Sequence, residues 1–93
     1  MLTTEFEEAV REVLVQSWDP IGIKDDPEWP KDEYDAYISE ICAFLLRGEP
    51  DDFIARHLCF IEKSLMGLGS TGVSERLPVA RKLKAVGARY TSA

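Results

Sequence analysis

"DEYDAYISEICAFLLRGEPDDFIARHLCFIEKSLMG", residues 32–67, contains the two segments that decide the fold. The first segment repeats apolar residues at three- and four-residue spacing: Tyr34, Ile38, Ile41 and Leu45. The second shows the same spacing: Ile54, Leu58, Ile61 and Leu65. Each ends at a glycine, Gly48 and Gly67, as a helix C-cap requires. Only "GEP" separates the two segments, so the sequence predicts an antiparallel helix hairpin whose seam is Ile41, Leu45, Leu58 and Ile61.

Two further amphipathic segments flank the hairpin. The first carries a Thr4–Glu7 capping box and an apolar stripe: Phe6, Val10, Val13 and Leu14. The last has its stripe at Leu77, Val79, Leu83 and Val86. Pro78 requires this last helix to begin only a few residues earlier, and Gly87 is predicted to end it. We therefore predict a single all-α domain with helices over about 4–17, 32–47, 51–66 and 75–86 and a frayed tail over 88–93.

Three helix starts are assigned from capping side chains. The Thr4–Glu7 box begins the first helix, and Asp32 is the expected N-cap of the second. For the third helix the N-cap is assigned to Asp51 or Asp52. These carboxylates would satisfy backbone N–H groups that have no partner inside the helix.

Composition limits the class of protein. A chain of 93 residues forms one domain and hides about 60 to 65% of its unfolded surface. The hydrophobic fraction of 45% and the charged fraction of 30% are ordinary for a globular protein. No apolar run approaches the roughly 20 residues needed to cross a bilayer, and the acidic start does not resemble a signal peptide. We expect a cytoplasmic protein with no membrane partner, whose two cysteines are reduced.

Charge is distributed unevenly along the chain. Residues 1–52 contain fifteen acidic and four basic residues, a net charge of −11, whereas residues 53–93 contain two acidic and seven basic residues, a net charge of +5. An overall charge of −6 would argue against nucleic acid as a partner if it were spread evenly. It is not spread evenly, so the chain is a charge dipole in sequence. We nevertheless predict no nucleic-acid partner.

"GLGSTG", residues 67–72, matches the G-x-G-x-x-G dinucleotide fingerprint by letter. The fingerprint functions between a strand and a helix, with an acidic residue about 20 positions later, and neither condition holds here. We interpret this stretch as a helix C-cap followed by an interhelical turn. The alternative is an anion site at the start of the last helix, formed by Ser70, Thr71 and Ser74.

Cys42, His57 and Cys59 could lie close together in the hairpin. A structural zinc site needs four ligands, and two residues two apart on a helix point to different faces. We expect core or boundary cysteines beside a surface histidine, with no bound metal or cofactor. His57 is also the sole imidazole in the chain, and no motif of nucleophilic catalysis accompanies it, so we predict that the protein is not an enzyme. The alternative is a small-molecule or metal-binding module near these three residues.

The link between the first two helices divides into two parts. "WDPIGI", residues 18–23, is predicted to pack over the core through Trp18, Pro20, Ile21 and Ile23. "KDDPEWPKDEYDAY", residues 24–37, holds Trp29 between two prolines and among acidic residues, a composition typical of a binding hot spot for a basic partner. The predicted partner-binding residues are Asp25, Asp26, Glu28, Trp29, Asp32 and Tyr37. The alternative is that Trp29 and the tyrosines complete a small core.

Several segments resemble a group of short helical bacterial proteins of unknown function. The shared features are "WDPIG", a YD-x-Y helix start, a leucine pair before glycine and an IE-x-x-x-MGL helix end, over roughly residues 14–68. This resemblance implies bacterial origin and a helical fold. In size, acidity and helix count the chain is also similar to the immunity proteins that neutralise nuclease bacteriocins. We predict a non-enzymatic cytoplasmic interaction module that binds a basic partner through its acidic aromatic surface, an immunity protein being the most concrete version.

Self-association is a further alternative for this chain. In it, the acidic face of one copy meets the basic last helix of another and forms a salt-sensitive homodimer. The contacts would be Arg76, Arg81, Lys82, Lys84 and Arg89.

Overall fold

The computed structural model describes residues 4–19, 22, 28, 34–67 and 72–91, and within them every regular element is helical. Helix α1 spans Thr4–Val13 and continues as a π-helical turn, Leu14–Trp18. A 3₁₀ turn, Asp35–Tyr37, leads into α2, Ile38–Arg47. Helix α3 spans Asp51–Phe60 and also continues as a π-helical turn, Ile61–Leu65, and α4 spans Val73–Thr91. The prediction of a small all-α domain with four helices is confirmed.

The predicted hairpin forms between α2 and α3. Side chains pair across it in antiparallel register, because Phe44 contacts Phe53 and Glu40 contacts His57. The four predicted seam residues are all buried, at 0 to 6% exposure: Ile41, Leu45, Leu58 and Ile61. Gly48 ends α2 in the left-handed region, with φ of 74°, as its predicted role as C-cap requires.

Helix α4 holds the other three helices together. Its closest backbone packing is against α3, and it also packs against α1 and α2. Its buried side chains are Val79, Ala80, Leu83 and Val86. They join a single core with Phe6, Val10 and Leu14 of α1 and with the seam of the hairpin. None of the described helices combines the length and the apolar composition needed to cross a membrane.

The C-terminal end predicted for α4 is wrong. The helix passes through Gly87 and continues to Thr91, so residues 88–91 are helical. Gly87 is buried against α2, where a Cβ atom would lie 3.1 Å from Leu45 Cβ. This glycine therefore permits two helices to approach closely. In the last turn of α4 the ring of Tyr90 stacks on the buried ring of Phe6. The local sequence does not reveal this tertiary contact.

The N-terminal caps show a second difference. Pro50 precedes α3 and no side chain caps this helix, so the predicted capping role of Asp51 or Asp52 is wrong. Both acids lie in the first turn, where the helix dipole favours negative charge. Thr4 is the first residue of α1, and the predicted N-cap Asp32 lies outside the described residues. Helix α4 begins at Val73, so Pro78 lies in its second turn and has no N–H to give to the carbonyl of Ser74.

Candidate partner-binding groove

An open groove of about 500 Å³ lies between α1 and α4. Glu5, Glu8 and Glu12 of α1 form one wall, and all three are exposed. They recur at spacings of three and four residues, which places their carboxylates in one row along the helix. With a rise of about 1.5 Å per residue, this row is about 10 Å long.

The opposite wall comes from the last turns of α4. Arg89 and Tyr90 line it, and the Arg89 guanidinium carbon lies 5.7 Å from the centre of the Tyr90 ring. Tyr90 is held in place from below by Phe6, at a ring-centre distance of 5.6 Å. This wall exists because α4 extends past Gly87, so the sequence prediction of a frayed tail could not have located it.

Apolar atoms contribute to the groove between the two walls. They come from Ala9 and Val13, which are half-buried, and from Val86, which is buried. Gln16 and Ser17 also line the groove, and Ser17 Oγ accepts a hydrogen bond of 3.1 Å from Lys82 Nζ. The groove thus combines an apolar strip with three carboxylates on one wall and a single guanidinium, that of Arg89, on the other. The excess of carboxylates suits an amphipathic cationic ligand.

A second, smaller cavity extends the acidic surface towards the start of α2. It measures about 170 Å³, and Glu8 lines both cavities. Asp35 lines the smaller one, where its carboxylate accepts two hydrogen bonds from Arg11, at 2.8 and 2.7 Å. The smaller cavity therefore connects Glu8 to the start of α2, where the Arg11 guanidinium balances the charge of Asp35.

The structure describes two of the six predicted partner-binding residues. Glu28 is exposed, and Tyr37 is half-buried with its ring edge-on to Trp18 at 6.2 Å. The other four lie outside the described residues: Asp25, Asp26, Trp29 and Asp32. A binding role for residues 25–37 stays a prediction. Tyr37 packs partly against the core and is partly exposed to solvent.

Residues 18–23, which we call the lid, were predicted to pack over the core through four side chains, and Trp18 is the one of these four that the structure describes. Its side chain is buried at the end of the α1 stripe, and its ring lies 5.2 Å from that of the buried Tyr34. Tyr34 in turn donates a hydrogen bond of 2.9 Å to Asp19 Oδ1. The other predicted lid residues, Pro20, Ile21 and Ile23, lie outside the described residues.

A buried carboxylate that the sequence analysis missed joins three helices. Glu62 is 2% exposed, and its Oε2 accepts a hydrogen bond of 2.8 Å from Trp18 Nε1. Arg76 of α4 binds the same carboxylate with two nitrogens, at 2.7 and 2.9 Å. These hydrogen bonds are the main reason that the pKa of Arg76 is raised. The network is internal, and we interpret it as structural.

Cys42, His57 and Cys59 have separate surroundings. Burial and the nearby charge of Glu7 raise the pKa of the Cys42 thiol to about 11. Burial also raises the pKa of Cys59, with a smaller contribution from Glu62. No three His, Cys, Asp or Glu side chains of the described part of the chain could jointly hold a metal ion. The geometry therefore gives no support to the alternative of a metal site at these residues.

His57 is not the surface residue that was predicted. Its side chain is 13% exposed, and the ring lies 4.9 Å from that of Phe44 and 6.4 Å from that of Phe60. Burial lowers its pKa, and the nearby carboxylate of Glu40 partly opposes this effect. A neutral imidazole that donates from Nε2 to Glu40, at 2.9 Å, fits these surroundings.

The basic residues of α4 mostly contact groups of the same chain. Arg76 binds Glu62, Arg81 lies 3.5 Å from Asp51, and Lys84 donates to the carbonyl of Glu49. These internal contacts reduce the charge that the helix can offer to a second copy. The salt-sensitive homodimer through α4 stays a prediction.

Comparison with protein-family models, with curated proteins and with solved structures finds no match to this chain.

Proposed function

We propose that this chain is a non-enzymatic protein-interaction module that binds a basic, amphipathic segment of another protein. The observation that carries the proposal is the α1–α4 groove, in which a row of three exposed carboxylates borders an apolar strip. A helix with Lys or Arg at positions i, i+3 or i+4, and i+7 has cationic groups at the spacing of Glu5, Glu8 and Glu12.

Electrostatic attraction and burial of apolar surface have separate roles in the proposed binding. Exposed carboxylates attract a cationic partner and set the rate of encounter, although each exposed pair adds little affinity. The apolar strip formed by Ala9, Val13 and Val86 supplies contacts that exclude water from the complex. Tyr90, which is 37% exposed and supported by Phe6, provides a rigid aromatic anchor at the end of the groove.

The acidic segment that precedes α2 extends this surface in our model. The smaller cavity links Glu8 to Asp35, and the acids at positions 25, 26, 28 and 32 come before Asp35 in the chain. Trp29 would add a second aromatic anchor. An immunity-type protein that neutralises a basic toxin is the most concrete form of this function, and it would operate in the bacterial cytoplasm.

The proposal is tested by an NMR titration of the whole chain with a Lys–Leu amphipathic peptide. The expected result is that backbone amide shifts change along one face of α1, at Glu8 and Glu12, and near Tyr90 of α4. The same peptide with Glu in place of every Lys is the control, and it should leave the spectrum unchanged. Shift changes confined to α2 and α3, or equal responses to both peptides, would refute the groove as the binding surface.

The contribution of the segment before α2 is tested separately with Trp29→Ala. We expect this variant to bind the Lys–Leu peptide more weakly than the wild type while its melting temperature stays nearly unchanged. If the variant instead unfolds as readily as Trp18→Ala, Trp29 belongs to the core. The segment then contributes stability and should be removed from the proposed surface.

A further inference from the structure

The outer face of the α2–α3 hairpin presents four aromatic rings in contact. Phe44 lies edge-on to Phe53, at 5.0 Å, and to His57, at 4.9 Å. The ring of His57 then stacks with that of Phe60 at 6.4 Å. We call these four residues the aromatic face. Phe60 is 54% exposed and Phe53 is 38% exposed, so two large rings of the face meet solvent in the isolated chain.

The aromatic face lies outside the α1–α4 groove and meets the core only through Phe44, which is partly buried against it. The core side of the same hairpin is formed by Ile41, Leu45, Ile54 and Leu58, which are buried. None of the aromatic-face residues lines the groove. Exposed apolar side chains that adjoin one another on a small protein commonly mark an interaction surface. The charges around the face indicate what would cover it.

The exposed stripe of α2 beside the aromatic face has opposite charges at its two ends. Glu40 is 60% exposed at one end, and Arg47 is 58% exposed at the other. Ala43 lies between them and is exposed, so it would let a second helix approach closely. The two charges are seven residues apart, which corresponds to about 10 Å along the helix.

This arrangement is complementary to itself. When two copies of α2 lie antiparallel across a two-fold axis near Ala43, Glu40 of each copy faces Arg47 of the other. The contacts that each side chain makes in its own chain, Glu40 with His57 and Arg47 with Glu49, leave more than half of its surface accessible. On α3, Asp52 and Arg56 form a further exposed pair of opposite charges.

We infer that the aromatic face and the adjoining α2 stripe bind a second copy of this chain, forming a two-fold symmetric homodimer. Phe60 and Phe53 supply the apolar contacts, and two Glu40–Arg47 pairs fix the antiparallel alignment. The α1–α4 groove does not take part in this interface. The dimer would therefore present two grooves to basic partners, and the inference does not depend on the proposed function.

Sedimentation equilibrium over a range of protein concentrations tests this interface. The wild type should be a dimer, and Phe60→Ala should raise the dimer dissociation constant at least about tenfold. Glu40→Arg and Arg47→Glu should each do the same, because each places like charges opposite one another twice. The variant that carries both substitutions should recover the wild-type dissociation constant. Glu75→Lys, an exposed charge reversal on α4, is the matched control and should leave dimerisation unchanged.

Each alternative outcome overturns the inference. A wild-type chain that stays monomeric at the highest concentrations would exclude the dimer. A dimer that resists both single charge reversals but dissociates in high salt would place the interface elsewhere, as in the α4-mediated alternative. Failure of the double variant to recover dimerisation would refute the antiparallel pairing. Circular dichroism melting of every variant distinguishes lost association from lost folding.

Discussion

Arg76→Met tests the buried network that joins α1, α3 and α4. In the folded protein the Arg76 guanidinium binds both oxygens of Glu62, and the carboxylate also accepts a hydrogen bond from Trp18. Methionine keeps much of the length and apolar surface of the arginine side chain. It removes the positive charge and both hydrogen bonds. The Glu62 side chain, which is 3% exposed, would then remain buried without its cation.

The expected cost follows from the burial of the two partners. Removal of one member of a buried ion pair typically costs about 3 to 5 kcal/mol. We expect about 3 kcal/mol for Arg76→Met, near the lower limit, because the Trp18 hydrogen bond is retained. Glu62→Gln should cost less, about 1 to 3 kcal/mol, since the Arg76 side chain is 20% exposed and can turn its charge towards water.

The assay is urea unfolding at neutral pH followed by far-ultraviolet circular dichroism, with linear extrapolation of the free energy of unfolding. The single variant Glu62→Met and the double variant Glu62→Met with Arg76→Met complete a double-mutant cycle with Arg76→Met. The double variant should be clearly more stable than the sum of these two single changes implies. An Arg76→Met cost below about 1 kcal/mol, or additive single effects, would refute the buried pair. Unchanged denaturant dependence in all variants would show that the unfolded reference is the same.

Three further predictions concern single side chains. Because the pKa of His57 is lowered in the folded protein, its contribution to stability is fully present above its unfolded pKa of about 6.5 and is lost as the pH falls through the folded value. The urea midpoint of unfolding should therefore fall less steeply between pH 7 and 5.5 in His57→Gln than in the wild type. Equal slopes in the two proteins would contradict a lowered pKa of His57. Native protein at pH 8 should react slowly with iodoacetamide at the half-exposed Cys59 and far more slowly at the buried Cys42, as peptide mass spectrometry can show, and faster labelling of Cys42 would contradict the packing. Gly87→Val should cost about 1 to 3 kcal/mol in urea unfolding because its side chain would press on Leu45, whereas a stability equal to the wild type would contradict the close approach of α4 and α2.

The helices could be predicted from sequence because their signals are local. Apolar spacing and a glycine C-cap identify α2, and the seam residues Ile41 and Leu58 are buried as predicted. The end of α4 could not be predicted in this way. A glycine near the end of an apolar stripe normally ends a helix, but here Gly87 is retained inside the helix by packing against Leu45. Whether the helix ends at Gly87 or continues therefore depends on a contact between residues far apart in sequence.

The buried Glu62 shows a second limit of the periodic pattern. The turn after α3 bonds residue i to i+5, as between Met66 N–H and the carbonyl of Ile61 at 2.9 Å, so each later side chain is rotated relative to a regular helix. Leu65, predicted on the apolar stripe, is consequently 58% exposed, while Glu62 is 2% exposed. The sequence did contain a sign that Glu62 is buried, because it lies four residues after the core residue Leu58 and so on the same face of the helix. Its partners could be identified only from the fold.

The candidate groove was only partly accessible to prediction. The aromatic residues among acidic ones indicated a basic partner, and the predicted site was therefore assigned to residues 25–37. The row formed by Glu5, Glu8 and Glu12 was visible in the sequence as the polar side of an amphipathic helix. It becomes the wall of a groove only because α4 extends to Thr91 and places Tyr90 opposite.

The binding affinity of two charge-matched variants tests the proposed function most directly. Fluorescence anisotropy of a labelled Lys–Leu amphipathic peptide gives the dissociation constant for the wild type, for Glu8→Gln with Glu12→Gln, and for Asp52→Asn with Glu75→Gln. Both pairs remove two exposed negative charges, but only the first pair lines the groove. We expect the groove variant to bind about 2- to 30-fold more weakly, since two exposed charge pairs are each worth about 0.2 to 1 kcal/mol, and the control to bind nearly as the wild type does. Equal loss in both variants would show that the peptide senses only net charge, and it would contradict the assignment of the groove as the binding site.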